Sequence, residues 1–85
     1  MENLLDKNIV IFGCGDMGHY FFKILGEDNV LCFCDNNAEL HGKLMYGIPI
    51  ISIENLKEKN NFTVVICARK DKAYIIARQL EEEGD

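Results

Sequence analysis

Side chains that commonly carry out catalysis are scarce in this sequence of 85 residues. It has no tryptophan and one proline, and its only serine and threonine are Ser52 and Thr63. No Tyr-x-x-x-Lys pair of the short-chain dehydrogenase type occurs, and no Ser–His–acid or Cys–His set stands at a recognised spacing. We therefore expect no catalytic residues in this chain.

The cysteines are few and are not spaced for a metal or redox site. Cys32 and Cys34 are separated by one residue, and no C-x-x-C pair exists among Cys14, Cys32, Cys34 and Cys67. We expect no metal site. Cys14, Cys34 and Cys67 fall near the carboxyl ends of predicted strands, where we interpret them as small residues that fill tight space.

Long apolar runs are also absent. The amino-terminal stretch MENLLDKN is charged and is not a signal peptide, and no later segment is long enough to span a bilayer. We expect a cytoplasmic protein without a membrane span. The formal net charge of −5 repels phosphate backbones, so we expect no nucleic-acid partner.

What the sequence does contain is an alternation of apolar strands and helical periods. Strands are predicted at 9–12, 30–34, 47–51 and 62–67, and helices at 16–25, 52–58 and 71–83. Gly26 is a helix stop and Ser52 a helix cap. Apolar residues at helical spacing predict the buried face of the first helix, and they are Met17, Tyr20, Phe21, Ile24 and Leu25.

This alternation predicts an α/β fold, a Rossmann-like half-fold in three layers with a mainly parallel sheet. When the four predicted strands are numbered along the chain, right-handed crossovers give the order 3-2-1-4. Pro49 cannot donate a hydrogen bond, so strand 3 is expected at a sheet edge. We expect residues 1–85 to form one domain, and this domain to be a piece of a longer protein.

A glycine-rich turn follows the first predicted strand. Its sequence GCGDMG matches the G-x-G-x-x-G of dinucleotide-binding folds, and an amphipathic helix begins within it. Gly13 permits a tight turn, Gly15 lets a pyrophosphate approach the backbone, and Gly18 lets the helix pack closely on the strand. Helix-terminal amides favour an anion there. The predicted phosphate-binding residues are Gly13, Cys14, Gly15, Asp16, Met17 and Gly18.

Two interpretations of this turn remain open. The glycines could serve turn and packing geometry alone, without any ligand. Asp16 places a carboxylate beside the phosphate position, which disfavours an anion unless its side chain turns away to cap the helix.

Further candidate residues follow the strands that neighbour the first one. Asp35, 22 positions after Gly13, ends the second strand and is placed to accept hydrogen bonds from ribose hydroxyls, which favours NAD over NADP. Asn36 follows it. Ala68 and Arg69 follow the last strand, at the topological switch point where such sheets bind ligands.

Three segments of the chain resemble the Rossmann-like amino-terminal domains of bacterial surface-polysaccharide enzymes. They read IVIFGCGDMGHYFFKIL, VLCFCDNNAELHGKLMYGIPIIS and FTVVICARKDKAYIIARQLEEEG. Such enzymes include nucleotide-sugar epimerases or dehydratases, sugar acyltransferases, glycan-linked methyltransferases and glycosyltransferases. The resemblance implies that NAD or a UDP-type nucleotide-sugar binds through Gly13, Gly15, Gly18 and Asp35.

We therefore expect a nucleotide-binding domain of a larger enzyme of bacterial glycan assembly, with the rest of that polypeptide as its partner. One alternative is a non-catalytic structural or oligomerisation domain that kept the fold and lost the ligand, with homodimerisation through an apolar helix face or the Pro49 edge. A second is the NAD-binding half of a dehydrogenase.

Overall fold

A five-stranded sheet forms the middle layer of the computed structural model, which describes residues 8–84. The spatial order is β3-β4-β2-β1-β5. The pairs β1–β2, β1–β5 and β2–β4 are parallel, and β3–β4 is antiparallel. The strands are β1 (Ile9–Phe12), β2 (Val30–Cys34), β3 (Leu44–Met45), β4 (Ile48–Ile51) and β5 (Thr63–Ile66).

Helices cover both faces of this sheet. Helix α1 (Asp16–Leu25) packs on one face, and α2 (Ile53–Leu56) and α3 (Lys70–Gly84) pack on the other. Side chains of β1 alternate between the two layers: Ile11 contacts the α1 side and Val10 the α2 side, and both are fully buried. Since both faces are covered, every residue of β1 is buried, which explains its unbroken apolar sequence.

The predicted α/β class, the three layers and the relative order of the four predicted strands are confirmed. The position of Pro49 at the sheet edge is wrong, because β3 pairs outside β4. Ile50 donates its N–H to the Lys43 carbonyl at 2.9 Å. Because neighbouring residues of a strand face opposite sides, the backbone nitrogen of Pro49 faces away from β3, and its lack of a hydrogen removes no hydrogen bond to that strand. Proline is therefore tolerated inside this hairpin.

The local helix signals are also confirmed. Helix α1 ends at Leu25, and Gly26 follows with a φ of 89° and donates its N–H to the Phe22 carbonyl. Ser52 caps α2 by accepting a hydrogen bond from the Asn55 N–H. Helix α2 is shorter than predicted and ends at Leu56.

The predicted buried face of α1 is confirmed only in part: Phe21 and Leu25 are half-buried and pack against the core, and the other three residues are exposed. Met17, Tyr20 and Ile24 are 40%, 63% and 58% exposed, whereas Gly18 and Phe22 are buried. Gly18 has no side chain, so the helix approaches the glycine turn at this point and directs Phe22, one turn later, against Phe33 at a ring distance of 5.6 Å. The close approach at Gly18 thus centres the buried face on Phe22, a residue that the apolar periodicity did not include.

A tyrosine holds the β3–β4 hairpin on α1. Tyr46 and Gly47 form the turn between these strands, with φ values of 57° and 78°. The Tyr46 ring stacks on Phe22 with 4.4 Å between ring centroids and an interplanar angle of 5°. Its hydroxyl lies 2.9 Å from Nδ1 of His19. These contacts tie the outer edge of the sheet to the middle of the helix.

Replacing Gly18 by alanine should destabilise the fold. A Cβ at this position would lie well inside contact distance of the Gly13 carbonyl oxygen, and neither backbone can move freely. We expect Gly18→Ala to lower the free energy of unfolding by about 3 kcal/mol, measured by chemical denaturation. The control is Gly15→Ala, which meets none of the described atoms within 4 Å and should cost less than about 1 kcal/mol. Equal losses in both variants would contradict this explanation.

Candidate functional site

A cleft of about 400 Å³ opens where three neighbouring parallel strands end. The carboxyl ends of β1, β2 and β5 form its floor, and the first turns of α3 form one wall. In open α/β sheets this position is the usual ligand site. Its lining residues are Phe12, Gly13, Cys14, Gly15, Asp35, Asn36, Cys67, Ala68, Lys72, Ile75 and Ile76.

Two of the three motif glycines are required by the fold itself. Gly13 has a φ of 118°, and a Cβ on it would overlap the Cys67 carbonyl oxygen. Gly18 is held against the Gly13 carbonyl in the same way. These two glycines would be needed whether or not a ligand binds.

The third glycine has no such explanation. Gly15 has an extended backbone with φ −85° and ψ −160°, which any residue adopts. None of the described atoms lies within 4 Å of where its Cβ would be. Gly15 lines the cleft and immediately precedes α1, and no side chain of the described residues caps that helix. The uncapped amide groups and the absence of a side chain leave a position that an anion can occupy.

Asp35 is fixed across the cleft from this turn. Its Oδ2 accepts a hydrogen bond from the Cys14 N–H at 3.0 Å, and its Oδ1 accepts one from the Asn37 N–H at 2.9 Å. His41 Nε2 lies 2.6 Å from the Asp35 carbonyl oxygen. A carboxylate can accept about four hydrogen bonds, and the two amides and the Cys14 thiol take three of them, so the group keeps capacity for one hydroxyl donor while its orientation is set by the protein.

The cysteines near the cleft are protonated thiols at neutral pH. Burial, followed by the charge and hydrogen bond of Asp35, raises the pKa of Cys14 to about 12. Burial and neighbouring groups, Cys32 first, raise the pKa of Cys34 to about 12. Burial raises the pKa of Cys32 to about 11 and also raises that of Cys67. Thiols of this kind are poor nucleophiles and poor metal ligands.

The cleft brings together six of the ten residues predicted from the sequence: Gly13, Cys14, Gly15, Asp35, Asn36 and Ala68. The other four lie outside its lining. Asp16 and Met17 are exposed at the start of α1, and Gly18 is buried beneath the turn. Arg69 is exposed, and its guanidinium lies 3.8 Å from the carboxylate of Asp71.

The orientation of Asp16, which the sequence left open, matches neither of the two alternatives. Its side chain neither caps α1 nor lines the cleft, and it makes no hydrogen bond or ion pair with the described residues. His19, one turn further along, is directed to the Tyr46 hydroxyl.

Three residues of the cleft wall were missed from the sequence. Lys72, Ile75 and Ile76 belong to α3, and none of them was among the predicted site residues. They stand at i, i+3 and i+4, which is the spacing of one helix face. Extending that spacing from the switch point into the following helix would have found them.

Two further searches concern only residues 8–84. No group of three or more His, Cys, Asp or Glu side chains is placed there to hold a metal ion. No helix in that range is long and apolar enough to cross a membrane.

A family model and a solved structure both match nearly the whole chain. The model of the family described as C2185-like, N-terminal, matches residues 5–84. The crystal structure of UDP-D-quinovosamine 4-dehydrogenase from Vibrio fischeri superposes with a TM-score of 0.72 at 25% identity, covering 93% of this chain and 73% of that one.

Two curated relatives match this chain over less than half of their own length. The redox-sensing transcriptional repressor Rex of Lactobacillus gasseri is 26% identical over a match 85 residues long, and the match covers 91% of this chain and 40% of Rex. Rex of Lactobacillus acidophilus is 30% identical over 56 residues, 61% of this chain and 26% of Rex. The chain thus spans less than half the length of these relatives.

Stability should decline at alkaline pH. The thiols of the folded protein have raised pKa values, while those of the unfolded chain ionise near pH 9. The contribution of these protonated thiols to the free energy of unfolding is therefore complete below about pH 9 and is lost as the pH rises toward 12. Denaturant titrations in reductant from pH 7 to 11 should show a falling free energy of unfolding. The decline should be shallower in Cys14→Ala, and an identical slope in that variant would contradict the assignment.

Proposed function

The chain belongs to the C2185-like N-terminal family, and we propose that it is a nucleotide-binding domain for NAD or a UDP-type nucleotide-sugar. The observation that carries the proposal is Gly15. Its backbone conformation and its surroundings would accept a side chain, yet a glycine stands there, in the cleft and at the start of an uncapped helix. A closely approaching phosphate accounts for a glycine at this position.

The diphosphate would lie over the start of α1. The first-turn amides of that helix lack a side-chain cap, and the helix dipole adds a partial positive charge at the same end. Asp16 and Met17 would contribute their backbone N–H groups. The Asp16 carboxylate lies outside the cleft lining, so it weakens the anion site only through water.

The ribose would lie against Asp35. Its two oxygens are held by the Cys14 and Asn37 amides and the Cys14 thiol, which leaves one acceptor position for a ribose hydroxyl. A 2′-phosphate would bring a second negative charge to this carboxylate. The site therefore favours NAD over NADP among dinucleotides.

The base would occupy the wall formed by α3. Ile75 and Ile76 supply apolar surface, and Lys72 stands beside them with a cationic ammonium group. Apolar walls with a few polar groups are typical of small-molecule sites. Lys72 can reach either the base edge or a phosphate, and it adds a positive charge to a chain whose net charge is −5.

The comparisons support both ligand classes. The structural neighbour is named for an enzyme that acts on a UDP-sugar. The Rex relatives are named as redox sensors, and a redox sensor requires a ligand or group with oxidised and reduced forms, of which NAD is one. We propose further that this domain serves a larger bacterial enzyme of glycan assembly, an epimerase, dehydratase or glycosyltransferase, whose catalytic residues lie elsewhere in that protein.

A second candidate is a structural domain that kept the fold and lost the ligand. The exposed Asp16 carboxylate beside the phosphate position favours it. The two candidates differ in a single measurable property, the affinity of the cleft for nucleotides.

A heteronuclear NMR titration would test the proposal with NAD, NADP, UDP and UDP-N-acetylglucosamine. We expect NAD or a UDP ligand to shift the amide signals of residues 13–18 and 35–37. Gly15→Ala should lower that affinity at least about tenfold, because its methyl group occupies the phosphate position, while leaving the melting temperature within a few degrees.

The control is Asn60→Ala, at an exposed residue outside the cleft lining whose backbone φ is not positive. It should leave the affinity unchanged. The absence of shifts with every ligand at millimolar concentration would reject nucleotide binding and favour the structural candidate.

A further inference from the structure

The two edges of the sheet differ in how they are protected from pairing. At one edge, β3 has only two residues, which discourages pairing with a further strand. At the other edge, β5 reads TVVI, with neither proline nor charge. Within the described residues, β5 pairs only with β1. An unprotected edge of this kind is suited to accept another strand.

The backbone of β5 shows which groups are free on that side. Thr63 and Cys67 donate their N–H groups to the Asn8 and Phe12 carbonyls on the β1 side, at 2.7 and 2.8 Å. Residues of a strand alternate in direction, so Val64 and Ile66 direct their N–H and C=O groups outward. Four backbone groups are thus available along the open edge.

An apolar groove runs beside this edge. It measures about 260 Å³ and lies between β5 and one face of α3. Tyr74 on its rim is 66% exposed. The groove is lined by Ile66, Lys70, Ala73, Tyr74 and Ala77.

The face of α3 that borders the groove is complementary to itself. Lys70, Tyr74, Ala77 and Glu81 follow one another at helical spacings of four, three and four residues. When two copies of this face run antiparallel about a two-fold axis, Lys70 lies opposite Glu81 of the second copy, and Tyr74 lies opposite Ala77. The two-fold axis makes each of these pairs occur twice, which gives two charged pairs, and the small alanines allow the helices to approach.

The charge order along α3 also points to an external partner. Lys70 stands at the amino-terminal end of the helix, and Glu81 and Glu82 stand near its carboxyl-terminal end. The signs at Lys70, Glu81 and Glu82 are those that the helix dipole disfavours at each end, although Asp71 beside Lys70 carries the favoured sign. An antiparallel second helix supplies the opposite charge and the opposite dipole end to both positions.

We propose that this surface, the β5 edge with the Lys70–Glu81 face of α3, is a two-fold interface between two copies of this chain. The β5 strands pair antiparallel and extend the sheet to ten strands, and the α3 helices pack side by side on one of its faces. The interface is independent of nucleotide binding, because the cleft uses Lys72, Ile75 and Ile76 on a different face of α3.

Charge reversal with rescue tests the helix contact. Sedimentation equilibrium of the 85-residue chain at 10 μM to 1 mM should show a monomer–dimer equilibrium. Lys70→Glu and Glu81→Lys should each weaken the dimer about tenfold, because two attractive pairs become repulsive. The double variant restores opposite charges across the axis and should return to within about threefold of the original. Each reversal also improves the charge order within α3, so neither should lower the melting temperature.

Two controls separate this interface from general charge effects and from sheet damage. Lys43→Glu, an equal charge change next to β3 at the opposite edge of the sheet from β5, should leave the dimer unchanged. Val64→Pro removes an outward N–H that β1 does not use, and it should weaken the dimer while the circular dichroism spectrum is retained. A chain that stays monomeric at 1 mM, or a double charge variant that fails to regain dimerisation, would overturn the proposal.

Discussion

The contact on which the rest of the structure depends is the approach of Gly18 to the Gly13 carbonyl oxygen. It brings the start of α1 down onto the carboxyl end of β1, where the strand turns. Phe22 is then directed into the core against Phe33, and the first amides of the helix are placed at the rim of the cleft. The same contact therefore determines the packing of one layer and the position of a partial positive charge.

Much of this architecture was predictable because it depends on local sequence. Apolar runs bounded by turn residues indicated the four longer strands, and right-handed crossovers gave their relative order. Gly26 and Ser52 marked helix ends through their own backbone and side-chain chemistry. Six of the ten predicted site residues line one cleft because strand ends in a parallel sheet share an edge.

The parts that could not be predicted depend on contacts between distant segments. The centre of the buried face of α1, at Phe22, is set by a missing side chain at Gly18, which apolar periodicity does not register. Strand β3 has two residues, too few for a period of two to be recognised. The hydrogen bond between Asp35 and the Cys14 amide spans 21 positions and needs the folded sheet. Lys72 carries no sequence signal except its distance from the switch point.

The Tyr46 contacts have a consequence for the energetics of recognition. Helix α1 is anchored at its start by the glycine contact and at its middle by Tyr46, which stacks on Phe22 and reaches His19. A helix that is held at two points loses little further conformational entropy when a ligand binds at its amino-terminal end. The β3–β4 hairpin thus lowers the entropic cost of ligand binding in the cleft, although neither Tyr46 nor His19 lines that cleft.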